Sequence, residues 1–142
     1  MATATDSITD PGEYVTRFIE NIEQSHFTAA MEMVSEDCEY DNVPITKVFG
    51  RSAIEQTLGG FLAECSSYEW LIHHQVSSGD LEHGVVMNER TDRFEIDGRR
   101  VSCCLSYSRS GLPGALTHAR NAGFRTCCAG PLHYLRCLLS QQ

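Results

Sequence analysis

The stretch "VVMNERTDRFEIDG" constrains the fold most strongly, because it joins a two-residue alternation to a turn signal. In a β-strand, alternate side chains lie on the same face, so Val86, Phe94 and Ile96 share one side. Asp97 and Gly98 then form a pair that is typical of tight turns between antiparallel strands. The stretch therefore predicts an antiparallel sheet with one apolar face.

Helical signals precede this sheet in the chain. Asp10 can cap a first helix, Pro11 suits its first turn, and Glu13 stands three residues after the cap. Helices followed by an antiparallel meander predict an α+β fold, with N-terminal helices packed on a curved antiparallel sheet that forms a cone around a central pocket. The other predicted elements are helices at residues 27–34 and 50–65 and strands at residues 38–43, 68–76, 84–96 and 99–105.

Polar residues interrupt the apolar face of two predicted strands. In a strand, Arg90 and Asp92 lie on the same face as the apolar residues around them, because they occupy alternate positions. Asn88 precedes them on this face. In "CEYDNVP", Tyr40 and Asn42 share a side in the same way. Buried charges are usually paired and buried amides usually bonded, so a structural ion pair is one interpretation. The other is a site that combines an acid, a cation and two groups able to hold water.

The motifs "EYDNVP" and "ERTD", the latter followed by an Asp-Gly turn, resemble the limonene-1,2-epoxide hydrolase family. The resemblance spans roughly residues 10–101. It implies the cone-shaped fold that is also found in nuclear transport factor 2 and ketosteroid isomerase. It further implies the addition of water to a small hydrophobic epoxide in a single step, which gives a vicinal diol without a metal or organic cofactor.

The resemblance also implies a role for each matching residue. Asp92 corresponds to the general acid that protonates the epoxide oxygen, and Arg90 to the arginine that orients two aspartates. Tyr40 and Asn42 correspond to residues that hold the attacking water. Family members are often homodimers, so a homodimer is expected.

The C-terminal part departs from the family. Residues 98–142 contain no Asp or Glu, six arginines and five of the seven cysteines. The second catalytic aspartate, which the family carries on its last strand, is therefore missing. We expect a domain over residues 1–101 and an irregular Arg/Cys/Gly-rich tail, residues 102–142, in place of the last strands.

A shifted reading frame is our hypothesis for this tail. With permitted codons, "CCLSYSRSG" read from its third base gives "LPVVFEVR", which resembles the next strand of the family. An out-of-frame tail explains both the missing acids and the surplus of Arg, Cys and Gly. On this hypothesis the chain has little or no hydrolase activity.

Charge and composition exclude other classes. A net charge of −8 argues against binding to nucleic acid. No apolar run approaches the ~20 residues that span a bilayer, and the start has no secretory pattern, which predicts a cytoplasmic protein without a membrane partner. Adjacent cysteines lack the spacing of a zinc site. Two alternatives stay open: a non-catalytic binding or dimerising module of the same fold, and a ketosteroid-isomerase-like enzyme.

Overall fold

The computed structural model describes residues 8–42, 47–110 and 116–121, with side chains described for residues 8–41 and 47–102. It confirms the predicted α+β class. The helices are α1 (Pro11–Glu23), α2 (Phe27–Glu32) and α3 (Arg51–Ala63), and the strands are β1 (Val34–Asn42), β2 (Val48–Phe49), β3 (Ser67–Ser78), β4 (Val85–Ile96), β5 (Arg99–Ser110) and β6 (Leu116–Asn121). None of the helices in these ranges has the length and apolar character needed to cross a membrane.

The six strands form one sheet in the order β2-β1-β6-β5-β4-β3. Strands β3, β4, β5 and β6 pair antiparallel as a meander, and β1 pairs antiparallel with β2. The pairing of β1 with β6 is parallel, so the sheet is mixed rather than wholly antiparallel. No hairpin fixes the relative direction of these two strands, because α3 and four other strands separate them in the chain.

The start of α1 follows the sequence signals closely. The Asp10 carboxylate accepts a hydrogen bond from the backbone N–H of Glu13 at 2.9 Å, and Pro11 is the first helical residue. This bond satisfies one of the amide groups that a helix start leaves without a partner. The cap thereby fixes where α1 begins.

The core lies between the helices and one face of the sheet. Helix α1 contributes Val15, Ile19 and Ile22, each at most 3% exposed. Full burial of one such side chain contributes about 1.5–3 kcal/mol to stability. Helix α3 contributes Phe61, whose ring packs edge to face against the ring of Phe94 in β4, with ring centroids 4.8 Å apart. The helices therefore cover the face of β4 on which the predicted site residues lie.

Two boundaries differ from the sequence-based expectation. Strand β1 begins at Val34 rather than at residue 38, and its register against β6 shifts between Val34 and Glu39. In the tail, β5 runs without interruption across the expected boundary at residue 102 to Ser110, and β6 adds a further strand. Backbone pairing with β4, β6 and β1 supplies these strands with hydrogen bonds. Residues 122–142 lie outside the described part of the chain.

Candidate active site

The buried face of β4 carries the polar residues that the alternation predicted. Asn88, Arg90 and Asp92 are 6%, 5% and 6% exposed, and they alternate with exposed or half-buried residues along the strand. Val86 and Phe94 lie on the same buried face. The expectation that a charged pair lies in line with apolar residues is confirmed.

Arg90 and Asp92 form a two-point ion pair inside the protein. Arg90 Nε donates to Asp92 Oδ1, and Arg90 Nη2 donates to Asp92 Oδ2 at 2.8 Å. The guanidinium carbon also lies 4.6 Å from the ring centroid of Trp70 on β3. A planar guanidinium suits both contacts, since it forms parallel hydrogen bonds with a carboxylate and packs on an aromatic face. The indole and the carboxylate thus hold Arg90 in one orientation.

Burial raises the pKa of the Asp92 carboxyl above its ordinary value, because an apolar environment disfavours the charged form. The hydrogen bonds and the positive charge of Arg90 oppose this rise without cancelling it. A carboxyl with a raised pKa keeps its proton closer to neutral pH than an exposed aspartate does. Asp92 is therefore suited to donate a proton.

We expect the free energy of unfolding to fall as the pH rises from about 4, the ordinary aspartate pKa, through the raised pKa of Asp92. Within this window the folded state holds a proton that the unfolded state has released, so each added pH unit favours unfolding. One pKa unit of difference between the two states corresponds to about 1.4 kcal/mol. Urea unfolding at a series of pH values should show a flatter profile for Asp92→Asn. Asp97→Asn, at the exposed turn, is the matched control and should keep the wild-type slope; an unchanged slope in Asp92→Asn contradicts the prediction.

Tyr40 lies on the core side of β1. It is half-buried and packs against the hydrophobic core. Cys38, two residues earlier on the same face of the strand, is 2% exposed and belongs to that core. Glu39 and Asp41 lie on the other side, where Lys47 Nζ is 2.5 Å from Glu39 Oε1 and 3.8 Å from Asp41 Oδ2. The alternation predicted for β1 is thus confirmed over residues 38–41.

The approach of Tyr40 and Asn42 to the ion pair stays a prediction. Asn42 belongs to β1, but its side chain lies outside the described residues. In the sheet order, β6 and β5 lie between β1 and β4. Of the four predicted site residues, the structure brings Arg90 and Asp92 into direct contact.

A cavity of about 430 Å³ is formed by residues of β3, β4 and β5. It is lined by Ser67, Tyr68, Glu69, Arg93, Phe94, Glu95, Arg100, Val101 and Ser102, and so by none of the four predicted residues. Its Glu69–Arg93 ion pair is half exposed on the outer face of the sheet. This cavity is not the predicted central pocket, which stays a prediction.

Two residues of β3 near the predicted site were not singled out from the sequence, the buried Trp70 and the half-buried Gln75. Trp70 pairs with Asp92 across β3 and β4, and its indole packs on Arg90. Gln75 of β3 accepts a hydrogen bond from Asn88 Nδ2 at 3.3 Å. Trp70 is the single tryptophan of the chain and lies in a predicted strand next to the polar one, which was the signal available. No signal marked Gln75, because a break in the register of β3 decides its direction.

Within residues 8–42, 47–110 and 116–121, no three His, Cys, Asp or Glu side chains come together in a way that could hold a metal ion. The side chains of Cys103 and Cys104 lie outside the described part, as do residues 122–142.

A family model described as the limonene-1,2-epoxide hydrolase catalytic domain matches residues 9–107. This chain belongs to the limonene-1,2-epoxide hydrolase family. The matched segment contains both Arg90 and Asp92 as well as β1, and it ends 35 residues before the C-terminus. The family match thus stops inside the tail that lacks acidic residues.

Solved structures agree with this family in fold. An LEH-like epoxide hydrolase of M. tuberculosis is 22% identical, with a TM-score of 0.66 over 78% of this chain and 75% of its own. A hypothetical protein with a ketosteroid isomerase-like fold from Catenulispora acidiphila, in complex with trimethylamine, is 17% identical, with a TM-score of 0.68 over 82% and 88%. An NTF2-like protein with a cystatin-like fold from Novosphingobium aromaticivorans is 18% identical, with a TM-score of 0.62 over 92% and 86%. At these identities the three structures establish the fold alone.

Proposed function

We propose that this member of the limonene-1,2-epoxide hydrolase family acts on small hydrophobic epoxides, with Asp92 as the group that protonates the epoxide oxygen. The observation that carries the proposal is the buried, two-point ion pair of Arg90 with Asp92. An epoxide opens to an alkoxide, which is a poor leaving group unless a proton reaches the oxygen as the C–O bond breaks. Asp92 combines burial with a raised pKa, the two properties that such a donor needs.

Arg90 supports this step through the charge that proton transfer creates. When Asp92 gives up its proton, a carboxylate is left in an apolar environment, where an unpaired charge is costly. The guanidinium already faces both carboxyl oxygens, so the new charge is neutralised without movement of either residue. In the proposed mechanism Arg90 therefore stabilises the product side of the proton transfer.

The water half of the reaction is where this chain differs from its family. Addition of water forms a C–O bond and releases one proton from the attacking water, which a base must accept. Tyr40 and Asn42 are proposed to hold that water. No Asp or Glu follows Asp97 in the sequence, so the family's second aspartate is missing. We therefore propose that diol formation by this chain is slow, although the acid half of the site is retained.

The opening of an epoxide by azide tests the general acid without needing the missing base, because azide is an anionic nucleophile with no proton to lose. We expect the purified protein to accelerate the opening of styrene oxide by azide far more than its opening by water. Asp92→Asn should lower the azide rate by about 10²-fold or more, the usual contribution of a general acid. Product analysis by chromatography, with the protein-free rate subtracted, measures both reactions.

Asp97→Asn is the matched control for this experiment. It makes the same chemical change at an exposed turn of β4, where Asn tolerates the positive φ of 51°. The control should retain the wild-type azide rate. Equal azide rates in wild type and Asp92→Asn contradict the proposed role of Asp92, and fast diol formation by the wild type contradicts the missing base.

A ketosteroid-isomerase-like reaction fits the site less well. Such a reaction needs an ionised carboxylate that abstracts a proton, and a bound guanidinium makes a carboxylate a weaker base. Arg90 contacts both oxygens of Asp92, so its positive charge weakens this carboxylate as a base. A binding module without catalysis is the remaining alternative, and the azide experiment distinguishes it.

The assembly and the location are also proposals. We propose a homodimer, as the family resemblance implies, and a cytoplasmic protein without nucleic-acid or membrane partners. Leu71, Val76 and Met87 are 39%, 67% and 53% exposed on β3 and β4, which supports an association through the outer face of these strands.

A further inference from the structure

Asn88 carries a buried acceptor that the mechanism above does not use. The residue is 6% exposed, and its Nδ2 donates to Gln75 Oε1 at 3.3 Å. Its Oδ1 is buried and has no hydrogen-bond partner among the described residues. Buried acceptors without a partner are rare in folded proteins because their desolvation is not compensated, so each one calls for an explanation.

A chain of hydrogen bonds determines whether the oxygen or the nitrogen of the Asn88 amide lacks a partner. Gln75 Nε2 donates to the backbone carbonyl of Gly12 at 3.0 Å and to Thr16 Oγ1 at 3.1 Å. A carbonyl oxygen can only accept, so the amide nitrogen of Gln75 must face α1 and its oxygen must face Asn88. Asn88 then has to present its nitrogen to Gln75. The oxygen of Asn88 is therefore the free end, and its orientation follows from the network.

An irregularity in β3 makes this network possible. The register between β3 and β4 shifts between Ile72 and His74, which inserts one extra residue on β3. As a result His73 and His74 are both exposed, while the half-buried Gln75 contacts α1 and Asn88. Bulges of this kind occur next to active sites, where they redirect a side chain. Here the bulge directs Gln75 toward the interior.

The position of Asn88 connects it to the proposed site. It lies two residues before Arg90 and four before Asp92 on the same buried face of β4. Four residues of a strand span about 13 Å. The indole nitrogen of Trp70, the residue that packs on Arg90, is a second buried polar atom without a partner in the described part of the chain. Among the described residues, the two buried polar atoms without a partner thus belong to Trp70, which packs on Arg90, and to Asn88, which shares the buried face of β4 with the ion pair.

Resting on the function proposed above, we propose that Asn88 Oδ1 accepts a hydrogen bond from a hydroxyl group of the bound molecule and that Gln75 is its positioning residue. The substrate class is then a small apolar epoxide that carries one hydroxyl group at the end remote from the epoxide ring. A hydrocarbon epoxide would leave the buried oxygen of Asn88 without a partner. Asn88 therefore selects for a donor at that end of the ligand.

The test compares two isomeric ligands, cyclohexylmethanol and methoxycyclohexane, which differ in that only the alcohol can donate a hydrogen bond. Trp70 is the single tryptophan and packs on Arg90, so its fluorescence reports on binding at this site. We expect the wild-type protein to bind the alcohol about tenfold more tightly than the ether, the usual worth of one hydrogen bond. In Asn88→Leu this ratio should fall to about one, and in Gln75→Leu it should fall part of the way.

Asn21→Leu is the matched control, since it removes a half-buried asparagine of α1 that contacts Met33 rather than β4, and it should keep the tenfold ratio. The wild-type ratio needs no variant, so the test does not depend on the folding of Asn88→Leu. Equal affinities for the two ligands in the wild type, no fluorescence change with either ligand, or an unchanged ratio in folded Asn88→Leu overturns the proposal. Because no epoxide is used, a failure here is distinct from a failure of Asp92 in the azide experiment.

Discussion

Replacing Arg90 with methionine is expected to lower the free energy of unfolding at neutral pH by about 3–5 kcal/mol. The change keeps most of the side-chain volume but removes both hydrogen bonds to Asp92 and the contact with Trp70. Asp92 is 6% exposed, so its carboxyl group would be left buried without a cation. The loss should shrink as the pH falls, because a protonated Asp92 no longer needs a partner. Urea unfolding followed by circular dichroism measures both effects.

Arg93→Met provides the matched control three residues along the same strand. Arg93 Nη1 lies 2.7 Å from Glu69 Oε2, but both side chains are about half exposed. Water solvates such a pair in the folded and unfolded states alike, so the control should cost no more than about 1 kcal/mol. The double change Arg90→Met with Asp92→Leu should recover most of the loss, since no buried charge then remains. Similar losses for the two single variants contradict the assignment of Arg90 and Asp92 as a buried ion pair.

Restoring the alternative reading frame from about residue 102 is expected to raise diol formation by about 10²–10⁴-fold, the usual contribution of a positioned general base. The match to the family ends at residue 107, and the chain has no acidic residue after Asp97. We propose that the restored tail returns the aspartate that accepts the proton of the attacking water. Turnover of limonene oxide by the two purified chains, compared directly, measures the gain.

Two controls make the frame experiment decisive. Changing the regained aspartate to asparagine in the restored chain should return diol formation to the level of the present chain, because an amide cannot accept that proton. The opening of epoxides by azide should differ little between the two chains, since Asp92 is common to both. Codons that do not permit the second reading, or a restored chain that is no faster with water, contradict the frame hypothesis.

Those parts of the candidate site that depend on the local geometry of a single strand could be predicted from the sequence. Alternation along β4 is a property of every strand, so the burial of Arg90 and Asp92 on one face followed from the positions of Val86 and Phe94. The contact of Trp70 with Arg90 could not be predicted, because it depends on the register between β3 and β4. The chain gives no local signal for that register.

In the tail, too, some features follow from the sequence and others only from the tertiary structure. The change in composition after Asp97 is visible in the sequence, and the family match ends ten residues later, at residue 107. Strand β5 continues past its predicted end at residue 105, and β6 was not predicted, because its partner β1 lies far away along the chain. Pairing with β1 and β5, rather than the pattern of its own side chains, defines β6.

The sequence by itself determined where α1 begins, which residues of β4 face the core, and that an acid and a cation lie together on that face. These features depend on a capping side chain and on the two-residue period of a strand, and both act within a few residues. Only the tertiary structure decided that β1 and β6 run parallel and that a bulge turns Gln75 toward Asn88. Such features arise from hydrogen bonds between residues that are distant in the chain, and their free energy appears only once helices and sheet have packed.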